Sequence, residues 1–117
     1  ENNDFYTFKN KKSMFAMTAH IVFKTIDKND CITHSKNAIK YIRNNIRFKN
    51  LIISDDISMK ALQYSFTHNV RKAYDAGCNL VLHCNANLNE MNKIAKIAPK
   101  IDRFIYKKTS EFYKLLS

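Results

Sequence analysis

The chain has 117 residues, 45% of them apolar, and a formal charge of +10 from twenty Lys and Arg against ten Asp and Glu. That length and apolar content define one folding domain spanning residues 1–117 and exclude a disordered tail. The charge raises nucleic acid or an anionic membrane as partners. However, the basic residues are scattered over every segment, and aromatics do not interleave with them as stacking platforms, so neither partner is expected.

In chain order, "MFAMTAHIVF" (14 to 23) is a β-favouring run and is expected to be a buried strand. "THSKNAIKYIRNNIRF" (33 to 48) sets Ala38, Ile39, Ile42 and Ile46 at helical spacing, with Thr33 or Ser35 available as N-cap. "NLIISD" (50 to 55) is continuously apolar, which suits a strand covered on both faces. "SFTHNVRKAYDAG" (65 to 77) carries Val70, Ala73 and Tyr74 on one helical face and stops at the chain's only glycine, Gly77. "CNLVLHCN" (78 to 85) reads as a third strand. "NLNEMNKIAKIA" (87 to 98) reads as a helix closed by Pro99, and a last amphipathic helix runs from about Ile101 to Leu116. This alternation calls for an α/β fold with a parallel sheet and right-handed crossovers. Three buried strands are too few to close a barrel and leave apolar edges to be covered.

Lys, Asn and Ile together exceed a third of the chain while Gly and Pro occur once each, the skew of AT-rich coding DNA. Cys31, Cys78 and Cys84 are odd in number and form no C-x-x-C pair, so reduced, cytoplasmic thiols are expected, with no disulfide framework and no zinc site. No apolar run approaches the ~20 residues that span a bilayer. The N-terminus "ENNDFYTFKN" is polar and acidic, unlike a signal peptide. It does not begin with Met, which permits a reading as part of something longer.

In a parallel α/β architecture functional groups gather where strands end. Here those ends are "TAH" (18 to 20), "SDD" (54 to 56) and "HCN" (83 to 85), which would bring His20, Asp55 and His83 toward one cavity. Asp55 and Asp56 have two readings: caps for a helix over "ISMKAL", or a carboxylate nucleophile at the strand mouth. Too few carboxylates and histidines converge to favour a metal. For His20 the plainer role is a buried histidine bonded to a backbone carbonyl, and His34, His68 and His83 are read as structural. Met59, one turn beyond Asp55, is core packing by default.

"AMTAHIVF", the Ser-led helix with "YIRNNIRFKN", "LIISDDISMKAL" and "AYDAGCNLVLHCN" together resemble, in order and spacing, the C-terminal third of the glycoside hydrolase family 3 β-N-acetylglucosaminidases. These bacterial cytoplasmic enzymes trim N-acetylglucosamine from recycled peptidoglycan fragments. "SDDISM" and "AGCNLVL" are the most specific pieces, and "NDFYTF" is similar to the family's lead into the sixth barrel strand, with Thr7 where proline is usual. The resemblance implies a partial (β/α)8 TIM barrel, namely its last three βα units plus a C-terminal helix. Asp55 matches the catalytic nucleophile of a retaining mechanism. Met59 matches a residue bordering the sugar near its N-acetyl group, His20 is a sugar contact, and Asp56 is structural by position. No cofactor is implied.

The departures are as specific. Nothing in the chain matches the family's His–Asp proton-transfer dyad or the upstream Arg and Lys-His that grip the sugar hydroxyls. Where the family reads "GF-G", this chain has Arg47 and Asn50. Asn50 tolerates a positive φ, whereas Arg47 does so poorly. The expected function is therefore a portion of a retaining β-N-acetylglucosaminidase, inactive alone, whose partners are an N-terminal barrel fragment or a second copy and, once complemented, an N-acetylglucosamine-containing glycan. The alternatives are a non-catalytic structural or interaction remnant of the same fold and, on charge alone, a small basic nucleic-acid binder.

Overall fold

Three parallel strands in the order β1 (Phe15–Met17), β2 (Leu51–Asp56) and β3 (Leu80–Leu82) form the sheet of the computed structural model, which describes residues 13–117. Phe15 pairs with Leu51 and Met17 with Ile53, while Ile53 pairs with Leu80. Helices α1 (Lys36–Asn44) and α2 (Phe66–Ala76) connect the strands, and α3 (Leu88–Ile97) and α4 (Arg103–Leu116) follow β3. A 3-10 turn at Ile32–His34 leads into α1. The segment "NDFYTF" and Thr7 lie outside the described residues.

Each helix starts where a short polar side chain can satisfy a free amide. Ser35, Ser65, Asn87 and Asp102 accept from the N–H groups of Ala38, His68, Glu90 and Ile105, each cap contributing about 1 kcal/mol. The central strand is buried as its unbroken apolar run predicts: Leu51 and Ile52 are both fully covered. Ile52 packs with Ile39 of α1, with Val70, Ala73 and Ala76 of α2, and with Phe48 and Ile57. Burying each large aliphatic side chain here contributes about 1.5–3 kcal/mol. Gly77 ends α2 at φ +119°, and a Cβ there would lie 2.8 Å from Ile39 Cγ2. Glycine is thus required both by the left-handed turn and by the close approach of α1 to the end of α2.

The edge strands are shorter than their apolar runs suggest. Residues 14 to 23 give only Phe15–Met17. After the bond from Thr18 N–H to Ile53 O at 2.8 Å the segment leaves the sheet; Val22 pairs instead with Cys31 in an isolated antiparallel bridge, and Ile21 is 57% and Val22 40% exposed. In the third run the strand is Leu80–Leu82, and Asn79 just before it bonds β2 with both backbone and side chain, its N–H donating to Ile52 O at 2.8 Å. Asn79 Oδ1 accepts from Ile52 N–H at 2.9 Å and from the Arg43 guanidinium at 2.8 Å. Arg43 also donates to the carbonyls of Phe48 and Asn50 and lies over the Phe104 ring of α4. One planar cation thereby ties α1, the starts of β2 and β3, and α4. Arg47 adopts φ +62°, the strained outcome anticipated from its place in the family pattern, whereas Asn50 has no positive φ.

Candidate active site

No helix follows Asp56: residues 57–64 form turns, so neither acid of "SDD" caps a helix. The hydrogen-bonding capacity is spent otherwise. Asp56 folds its carboxylate back onto the turn, where Oδ1 accepts from Ser58 N–H (3.1 Å), Ser58 Oγ (2.8 Å) and Cys84 N–H (3.2 Å). Burial pulls this carboxyl's pKa up, but the Ser58 hydroxyl and amide, the Cys84 amide and nearby His83 together hold it below the usual value. Asp56 therefore stays ionised as a bracket between the ends of β2 and β3, the structural part anticipated for it.

Asp55 sits in an irregularity of the sheet. Between the pairs Ile53–Leu80 and Asp56–Leu82, β2 supplies Ser54 and Asp55 against the lone Val81 of β3. That is a β-bulge, a device that re-aims a side chain out of strict alternation and recurs beside active sites. The ladder is broken there, and Leu82 N–H reaches the Ser54 hydroxyl at 3.0 Å. Asp55 is half-buried, and its Oδ1 accepts from Asp56 N–H at 2.8 Å. Among the described residues Oδ2 has no hydrogen-bond partner, so one carboxylate oxygen is anchored and the other is available for chemistry.

His20 comes from the neighbouring strand end to the same place. Its Nε2 lies 2.8 Å from Asp56 O and its Nδ1 lies 2.9 Å from Thr33 Oγ1. A carbonyl only accepts, so Nε2 carries the proton. The buried Thr33 hydroxyl is also 2.7 Å from Thr18 Oγ1 and 3.1 Å from Ala19 O; with Nε2 protonated, its single proton goes to Nδ1 and it accepts from Thr18. Both ring nitrogens of His20 are thus engaged within the chain, which is the plainer role considered for it. Met59 lies in the turn after Asp56 and is 44% exposed, so it is not core packing. Its amide donates to Asp56 O at 3.2 Å.

His83 does not join this group. It bonds Glu90 Oε1 at 2.9 Å and sets its ring edge-on to Phe66, fastening α3 to α2. His34 is buried beside Tyr64, with His68 on the ring's neighbouring side. Among the described residues no group of three or more His, Cys, Asp or Glu side chains could hold a metal, and no helix is long and apolar enough to cross a membrane. Sequence reasoning did not single out Thr18 and Ser58, or foresee Thr33 beyond a possible cap. Their only signal was short hydroxyl residues beside the strand-end His and Asp.

The fold and site together define a portion of a parallel α/β barrel with a carboxylate at a bulged strand mouth. A family model for the "Glycosyl hydrolase family 3 N terminal domain" matches residues 2–106, and the chain belongs to that family. The matching domain is the family's N-terminal one, so the expectation of a C-terminal third is corrected to a portion of that domain. A beta-hexosaminidase of Nitrosomonas eutropha is 41% identical over 71 residues, 59% of this chain and 20% of the relative. One from Photobacterium profundum is 26% identical over 95% of this chain and 35% of its own length. The chain thus spans between a fifth and about a third of these curated relatives. Among solved structures, CbsA from Thermotoga neapolitana superposes with a TM-score of 0.69 at 30% identity, covering 86% of this chain and 25% of that one. A family 3 β-N-acetylglucosaminidase from a Paenibacillus species superposes at 0.70 with 18% identity, covering 87% and 21%, and speaks to the fold alone.

Proposed function

We propose that this chain supplies the nucleophile side of a retaining β-N-acetylglucosaminidase site, as the last three βα units and C-terminal helix of the family's barrel domain. Asp55 is the nucleophile: its carboxylate attacks the anomeric carbon, a covalent glycosyl-enzyme forms, and water releases the sugar. Met59, exposed one turn beyond Asp55, borders the N-acetyl group. The substrate is a terminal N-acetylglucosamine of a peptidoglycan-derived glycan, and the setting is the cytoplasm. The observation that carries the proposal is the bulged "SDD" strand end, with one Asp55 oxygen anchored and the other open, in a chain belonging to this family.

Retaining hydrolysis also needs a proton donor above the glycosidic oxygen. Nothing in these residues resembles the family's dyad, so the 117 residues are inactive by themselves. The outer strands β1 and β3 each have one partner among the described residues, and Met17 on β1 is 60% exposed. Such edges suit pairing with further barrel strands, whether covalently continuous or from a separate N-terminal fragment. The test is release of a chromophore from an aryl N-acetyl-β-glucosaminide by the chain alone and with an N-terminal barrel fragment of a family member, with Asp55→Ala as control. Activity in the pair only, lost in the variant, supports the reading. Turnover by the isolated chain, or by the Asp55→Ala pair, overturns it.

A further inference from the structure

At the bulge Leu82 N–H bonds the Ser54 hydroxyl, and the neighbouring Asp55 carboxylate is held by a contact outside the ladder. Two hydrogen bonds, joined through Asp56, lead to the carboxylate. His20 Nε2–H donates to Asp56 O (2.8 Å), Asp56 N–H donates to Asp55 Oδ1 (2.8 Å), and between them lies the single residue Asp56. The second donor to Asp56 O, the Met59 amide at 3.2 Å, belongs to the following turn and moves with it. Among the described residues His20 is the one side-chain donor on that carbonyl, and it comes from another strand end. The imidazole is itself fixed by Thr33 Oγ1 at 2.9 Å, and Thr33 is fully buried, its hydroxyl 2.7 Å from Thr18 Oγ1 and 3.1 Å from Ala19 O.

We propose that His20 is a positioning residue for Asp55: by clamping the Asp56 carbonyl with its Nε2–H it fixes the Asp56 residue, and so the preceding peptide unit whose N–H holds the Asp55 carboxylate. It acts on the nucleophile from within the chain, in place of the sugar contact expected for it. The Thr18–Thr33 hydroxyl pair is the fixed support of the clamp, which explains why two hydroxyls are buried at the end of a strand. The catalytic meaning of the clamp rests on Asp55 being the nucleophile, whereas the clamp itself does not.

The test uses the full chain in solution. Long-range 1H–15N spectra report the His20 tautomer, and three-bond couplings report the Asp55 χ1 rotamer. In the unsubstituted chain His20 carries a proton on Nε2 and Asp55 holds one rotamer. His20→Leu averages the Asp55 couplings and broadens the amides of residues 55–57, while the Val70 and Ala73 amides keep their exchange protection. His20→Gln, whose amide N–H can donate to Asp56 O, restores the single rotamer, a rescue that loss of general packing would not show. If His20→Leu does not fold, Thr33→Val serves instead: it removes the support and leaves the ring, and it partly averages the same couplings. A ring protonated only on Nδ1, a single Asp55 rotamer in His20→Leu or in Thr33→Val, or failure of a folded His20→Gln to restore it overturns the proposal. Those readouts involve no turnover. A clamp that passes them beside an active Asp55→Ala pair would refute the nucleophile reading alone.

Discussion

Lowering the pH from 7.5 to 4.5 should destabilise the chain chiefly through one residue, His34. Its ring is buried, and among the described residues Nε2 has no hydrogen-bond partner. Burial, then the ammonium of Lys72, drives its pKa down from 6.5 to about 4, with His20 adding to the fall and Asp30 and the Asn69 backbone opposing it. Lys72 cannot move off readily, since it is bound to Asp30 at 3.1 Å and lies over the Tyr64 ring. The unfolded chain therefore takes up a proton on this residue near pH 6.5, whereas the folded chain refuses it until about pH 4. The associated stability is complete above pH 6.5, is lost progressively as pH falls, and levels off below about 4. A difference of about 2.5 pKa units corresponds to a loss of at most about 3 kcal/mol. Carboxylates enter only at the acid end of this window: Asp27, held low first by the Ser35 hydroxyl, and Glu90, held low first by His83, stay charged in the fold while the unfolded chain takes up protons near the ordinary 3.8 and 4.5, so the His34 contribution is read between pH 6.5 and about 5.5. Urea unfolding followed by circular dichroism at half-unit pH steps measures the slope, and His34→Gln should flatten it over that range. An equal slope in the variant would refute the reasoning.

Two further perturbations test the fold. Arg47 is exposed at φ +62°, a conformation costing an L-residue about 1–2 kcal/mol. After the greater entropy of glycine in the unfolded chain is subtracted, Arg47→Gly should stabilise by roughly 0.5–1 kcal/mol in the same urea assay. Arg43 serves two backbone carbonyls and Asn79 from a half-buried position. Arg43→Met should cost about 2–4 kcal/mol, read as a fall in the unfolding midpoint, because it orphans acceptors as well as removing bonds.

The parallel alternation was legible because it rests on local signals: helical spacing over Ala38 and Ile39, the cap at Ser35, and Gly77 closing α2. Strand extent was not legible. Ile21, Val22 and Phe23 have high β-propensity, yet they leave the sheet because Thr18 and His20 are tied to Thr33, a residue thirteen or more positions away. Propensity cannot register a partner so distant in sequence. Asp55 and Met59 were singled out through motif resemblance, since a bare "SDD" serves equally as a helix cap, a role excluded by the turns at residues 57–64. The bulge at Ser54 and Asp55 arises from the pairing of β2 with β3, and a single segment does not encode it.

The claim that Asp55 forms the covalent bond to the sugar is tested most directly by trapping. The chain, assembled with the remainder of its barrel, would be treated with an activated fluorinated N-acetylglucosaminide that forms a slow-turnover glycosyl-enzyme, then digested and mapped by mass spectrometry. The predicted result is one added sugar on the peptide containing Asp55, absent from Asp55→Ala. A sugar on Asp56 or on any other residue, or an active assembly that accumulates no adduct, would contradict the account.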